Sequence, residues 1–314
     1  MKRIQLLFLN LFLIFTVNNS ANCSSGSPDT TDSSPVEVQH SDTGPDTVSD
    51  DAQTKDILSL TDAQIMGGDC NDAPPIGVAR VRSACNEAQP TLPYASEAEG
   101  DLVLESSKAR FVIRAAGPHG LMLLGTGSGG LVDAMPAVDG QFQPSLDRLQ
   151  ELLPFPGLRS LKDPTFTYAT GTPGEAAFVH VEGELAPIPI ADSVFPGMGV
   201  QGIAEITWSL LPDSSVLDVE IKITPDEANK VTPIVWMGML YSGFLDGWTD
   251  ENGVSGEPGG TGQLYAGISP EVSLGVYAPK GLSFVDAGGL VLAMVTGESN
   301  GPKEAATAGL QFTV

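Results

Sequence analysis

The sequence predicts an all-β fold: a large antiparallel β-sandwich with one short helix, preceded by a disordered stalk. Three observations carry this. From Gly202 to Thr224, apolar residues alternate with polar ones, so that Ala204, Ile206, Trp208 and Leu210 oppose Glu205, Thr207 and Ser209. After Pro212-Asp213-Ser214-Ser215, the residues Leu217, Val219, Ile221 and Ile223 likewise oppose Asp218, Glu220, Lys222 and Thr224. Period two on both sides of a turn is the pattern of a hairpin with one wet face, and Pro212 with Asp213 predicts a type I turn. The second observation is that turn residues recur about every 8–12 residues after Asp101, the spacing of sandwiches rather than of βαβ units. The third is that helical periodicity is nearly missing: one short stretch, Ser145 to Leu153, brings Leu146, Leu149, Leu152 and Leu153 to one helical face before Pro154.

In chain order, Met1-Lys2-Arg3 and the apolar run to Val17 predict a signal peptide over residues 1–22. The run is shorter than the ~20 apolar residues a membrane-spanning helix needs. Ser20-Ala21-Asn22-Cys23 has the form of a lipoprotein cleavage site, although Ser20 and Asn22 depart from its usual residues. The expectation is a lipid on Cys23 and a place in the bacterial envelope, at the outer membrane or cell surface; cleavage near Ala21 and free secretion is the alternative. Three cysteines leave one without a mate. Pairing Cys70 with Cys85 leaves Cys23 for the lipid, and such a bridge would contribute roughly 3 kcal/mol in the chain-entropy account.

Residues 23–64 are rich in Ser, Thr, Asp and Pro and poor in large apolar residues. Such a segment buries too little surface to offset its ordering entropy and predicts a hydrated stalk. The β-sandwich domain is then 65–314. Its strands are expected at Leu102–Leu104, Ala109–Arg114, Leu121–Leu124, Phe166–Ala169, Ala177–Leu185, the 202–224 hairpin, Pro233–Leu245, Leu264–Ile268, Val272–Tyr277, Leu282–Val285 and Leu290–Thr296.

With 39 acidic against 15 basic residues the formal net charge is −24. Nucleic acid is thereby excluded as a partner, since phosphate contacts need clustered Lys and Arg. The expected partners are a membrane, through the lipid, and a glycan or an envelope protein.

No catalytic residue is identifiable. Gly125-x-Gly127-x-x-Gly130 has dinucleotide-loop spacing, but Pro136 follows where a helix would have to run. Along Phe178–Leu185, His180, Glu182 and Glu184 share one strand face, where imidazole and carboxylates could hold a ligand or a metal. Asp246, Asp250 and Asn252 concentrate oxygen atoms around Trp248. Calcium is the cofactor such a set would take, and the indole could present a platform to a sugar, but the spacing is not that of an EF-hand. No other cofactor is implied. A binding or structural module, carbohydrate being one ligand class, is therefore the expectation, with a mutarotase-like or metal-dependent sugar-processing enzyme as the alternative.

At Gly100–Glu105, Arg110–Arg114, Gly129–Ala134, Asp147–Leu152 and the Trp248–Gly262 loop, the chain resembles a β-rich N-terminal region of large bacterial surface lipoproteins. In relatives that region can precede a PHP-type metallohydrolase domain or carbohydrate-related modules. The resemblance spans roughly residues 100–280 and implies an envelope location. The His-x-His and Asp clusters of a PHP site are missing from this sequence, so it carries over no catalytic residue. A second likeness, of fold alone, is to the β-supersandwich of mutarotase-type sugar enzymes.

Overall fold

The computed structural model describes residues 70, 72–84, 98–115, 129–157, 159–188, 199–226, 234–241, 246–249, 253–255, 259–268, 271–286, 290–296 and 306–314, all within the compact unit Thr54–Val314. In 234–261 the backbone course alone is described. Seventeen strands are present among these residues: β1 (Arg80–Ser83), β2 (Leu102–Glu105), β3 (Ala109–Ile113), β4 (Leu131–Val138), β5 (Gln141–Phe142), β6 (Leu149–Pro156), β7 (Arg159–Ala169), β8 (Ala177–Pro187), β9 (Gly202–Leu210), β10 (Val216–Pro225), β11 (Ile234–Tyr241), β12 (Asp246–Thr249), β13 (Gly253–Ser255), β14 (Gly259–Ile268), β15 (Ser273–Asp286), β16 (Leu290–Thr296) and β17 (Ala306–Thr313).

All pairings are antiparallel. One layer runs β7, β8, β9, β10, β17 and the first half of β15. The other runs from the second half of β15 through β16, β11, β6, β4, β3 and β2 to β1. β15 thus belongs to both layers, and β14 lines its other edge along both halves. The bend lies at Ala278–Gly281, where the register with β14 jumps and Gly281 takes φ 106. Pro279 and Gly281 look like a turn between two strands, Val272–Tyr277 and Leu282–Val285; they are the corner of a single strand.

Alternation then places the core. Val179, Val181, Ile206, Trp208, Val219 and Ile221 from the first layer form one buried cluster with Leu104, Phe111 and Leu152 from the second. Phe111 and Phe312 meet edge to face with centroids 6.2 Å apart, which joins β3 to β17 across the sandwich. β9 and β10 pair as the sequence predicts, Trp208 opposite Val219 and Glu205 opposite Lys222. Their turn is not type I, because Asp213 adopts φ 57 where type I keeps φ negative. The side chain that would otherwise be strained there is tied down. Asp213 accepts from Gly77 N–H at 3.0 Å and from the Ser107 hydroxyl at 2.5 Å. These bonds, the hydroxyl's first, hold its carboxyl below the usual range.

The predicted helix is absent. Pro144–Leu146 makes a single 3-10 turn and Leu149–Pro156 is β6. The reason is a bulge: opposite Leu240/Tyr241 the register skips Gln150, so Leu149 and Leu152 both face the core although three positions apart. One inserted residue converts period two into an apparent helical period. Leu153 lies on the opposite face, where Gly130 leaves room for it: a Cβ on Gly130 would come within 2.4 Å of Leu153 Cδ2.

β2 and β3 differ from the hairpin with one wet face, because both of their faces are buried. The outer face carries charge. Glu105 bonds Arg80 at 2.6 Å, Arg82 at 2.7 Å and Arg110 at 2.9 Å. Arg110 also donates to the Cys70 carbonyl and stacks 4.3 Å above the Phe142 ring. Burial pushes the Glu105 carboxyl up, but the charges of Arg82 and Arg110, the Arg82 hydrogen bond and Arg80 outweigh it and hold it below its ordinary value. These are structural charges: each is used up in holding β1, β2 and β3 together.

Candidate functional site

The solvent face of the first layer is built from the polar half of each alternation. Strand register sets the side chains there in rows. One row reads Thr167, His180, Thr207, Glu220 and Gly309 across β7, β8, β9, β10 and β17. A neighbouring row reads Phe178, Ser209, Asp218, Gln311 and Tyr277 across β8, β9, β10, β17 and β15.

Between these rows lies a shallow groove of about 390 Å³, whose walls include Thr207, Ser209, Asp218, Glu220, Tyr277 and Gln311. Its floor passes Gly309, where a Cβ would meet nothing within 4 Å. The missing side chain is what makes the depression. Gln311 Nε2 donates to Asp218 Oδ1 at 2.7 Å and so orients that carboxylate.

Phe178 and Tyr277 stand at the two ends of their row, each 36 % exposed. Four interstrand steps separate them, about 19 Å at the usual spacing of strands. Each ring lies in the wet phase of its strand and leaves apolar area in water. The groove therefore has one ring, Tyr277, in its wall, and the same row continues past its hydroxyl, amide and carboxylate groups to a second ring, Phe178, beyond it.

Of the ligand face read from sequence, His180, Glu182 and Glu184 do share the solvent side of β8, while Val179, Val181 and Leu185 are buried beneath them. His180 Nδ1 lies 2.9 Å from Thr207 Oγ1, which joins it to the edge of the groove. Glu182 stands directly opposite Glu205. That like-charge pair is relieved by Lys222, whose Nζ lies 2.6 Å from Glu205 Oε1. The Glu205 hydrogen bond, first, and the charges of Glu205, Glu182 and Glu220 raise the Lys222 pKa.

Trp248 and Asp246 fall in β12, two strands beyond β15 by way of β14, with their backbone alone described. Asp250 and Asn252 lie outside the described residues, as do Cys23, Cys85 and Leu121–Leu124. Among the described residues no group of three or more His, Cys, Asp and Glu side chains is placed to hold a metal ion. No described helix is long and apolar enough to cross a membrane.

The residues that sequence reasoning passed over are Phe178, Asp218, Tyr277, Gly309 and Gln311. Phe178 carried a usable signal, since it is in phase with His180 and Glu182 rather than with Val179. Gly309 and Gln311 carried none, because they gain meaning from β17 lying between β10 and β15.

A second concentration of carboxyls is buried in the other layer. Asp133 on β4, Asp147 before β6 and Glu151 on β6 are each at most 2 % exposed. Asp147 Oδ1 accepts from Leu149 N–H at 3.1 Å. Burial pushes the Asp147 carboxyl up to about 7, against the lowering effect of its hydrogen bond with Asp133.

No protein-family model matches this chain, and no curated protein does. Among solved structures, a galactose mutarotase-like protein from Lactobacillus casei ATCC 334 is similar, with a TM-score of 0.42 and 10% sequence identity, over 68% of this chain and 99% of that one. The all-β architecture described above rests on the strand pairing itself.

Proposed function

We propose that the protein is an extracytoplasmic binding module that holds a glycan along the outer face of β8, β9, β10, β17 and β15. The observation that supports the reading is the row Phe178–Ser209–Asp218–Gln311–Tyr277, two exposed rings with hydrogen-bonding side chains between them beside an open groove. Sugars present apolar ring faces edged by hydroxyls, and such a surface matches both. The groove is shallow, and His180 is engaged by Thr207 rather than aimed at a reacting atom, which suits binding better than acid–base catalysis.

The same reading places the module on a lipid attached to Cys23, with 23–64 as its stalk and the bacterial cell envelope as its location. A Cys70–Cys85 bridge belongs to it as well.

A glycan array probed with the full-length protein, followed by calorimetry on the best ligand, tests the reading. Phe178→Ala and Tyr277→Ala should each weaken binding by about tenfold, the order expected for removing one ring contact. If no glycan binds, or if both rings are dispensable, the groove is not a sugar site.

A further inference from the structure

We infer that the groove selects glycans bearing free amino groups over neutral and acidic ones, an inference that rests on the glycan-binding reading above. Its basis is the sign and placement of charge. Asp218 and Glu220 are two positions apart on the wet face of β10, hence about 7 Å apart, and both line the groove. Among the described residues lining it no side chain is basic. The nearest cation along the strand, Lys222, is turned to Glu205 at 2.6 Å. Asp218 is held in place by Gln311 before any ligand arrives.

A uronate or sulfated sugar entering here would meet like charge. A neutral sugar would find two carboxylates able to act as acceptors alone. An ammonium group forms charge-assisted hydrogen bonds, roughly twice as strong as neutral ones, and gains further attraction from the face of Tyr277. Linear amino-sugar polymers, which repeat the cation along a chain long enough to reach both rings, are the class that uses the whole row.

The test compares three oligosaccharides of equal length with the full-length protein: a chitosan oligomer, its N-acetylated counterpart and an oligogalacturonate. The expected order is chitosan first and oligogalacturonate last. Asp218→Asn and Glu220→Gln should each cost chitosan binding about fivefold at low salt, the upper end for a partly exposed ion pair, and less at high salt. Both variants should cost the N-acetylated oligomer less than they cost chitosan, so that the preference between the two narrows. If the N-acetylated oligomer binds as tightly as chitosan, the glycan reading stands and the selection is refuted. Failure of all three to bind refutes the selection, and the glycan array then decides the glycan reading separately. Polylysine that binds as tightly as chitosan, with the same dependence on Phe178 and Tyr277, would reassign the groove to a basic protein partner.

Discussion

Thr170 and Val81 are joined twice: the Thr170 hydroxyl oxygen accepts from Val81 N–H at 3.0 Å, and the same hydroxyl lies 3.3 Å from Val81 carbonyl oxygen, to which it donates. With Gly171 N–H bonded to Ala79 O at 3.2 Å, this stitches the first strand of one layer to the end of β7 in the other. The edge strands β1 and β7, one from each layer, are tied together at that point. Thr170→Val keeps the shape and removes both bonds. It should cost about 1 kcal/mol in urea unfolding, and Thr170→Ser should restore most of it.

Glu105→Gln removes the one charge that three arginines share. Because Arg82 and Arg110 are buried with it, the expected loss is about 3–5 kcal/mol, measured by chemical denaturation. The pH dependence has a definite sign. Glu105 binds its proton less tightly when folded, so acid favours the unfolded chain, and its contribution is lost as pH falls below its ordinary value near 4.5.

Asp147 has the opposite sign. Burial raises it from 3.8 to about 7, so between those values the folded protein holds a proton that the unfolded chain has released. Stability therefore falls as pH rises through that window, by about 2 kcal/mol between pH 5 and pH 8. Asp147→Asn retains an oxygen for Leu149 N–H and should flatten the profile. A variant with the wild-type slope would show that another group titrates.

Gly309→Leu puts a side chain into the groove, and its Cβ meets nothing within 4 Å. Stability should stay within ~0.5 kcal/mol, as for surface substitutions elsewhere, while glycan binding is lost. Retained binding would place the ligand elsewhere.

Cys23→Ala should release the protein from the membrane fraction and abolish palmitate labelling. Mass mapping of a non-reduced digest should recover Cys70 and Cys85 in one linked peptide pair; free thiols at both positions would refute the bridge.

The legible parts of this fold are those where one face is wet and the register is unbroken. β9 and β10 satisfy both conditions, and so does β8, down to the placement of His180 and Glu182. β6 was hidden because the residue inserted at Gln150 shifts its leucines into helical spacing. Arg110 and Glu105 resemble a solvated face in sequence, since nothing local reveals that each is the other's counter-ion in a buried layer. The groove was the least legible feature. Its floor, wall and far ring come from Gly309, Asp218 and Tyr277, which are neighbours because of strand order alone, and β17, reading Ala-Thr-Ala-Gly at its start, has too weak an apolar pattern to announce itself.

β17 sits in the middle of the first layer, paired with β10 on one side and with β15 on the other. The order of synthesis therefore runs against the order of assembly. β7 to β10 can zip by successive hairpins, but the outer edge of β10 stays open until residues 306–313 have left the ribosome. Until then the half-built layer exposes a row of unpaired amides and carbonyls, the state in which β-rich chains associate with one another. Closure of that edge is a long-range event and a slow one, so a chaperone that shields β10 would raise the yield of folded protein more than one that acts on any earlier hairpin.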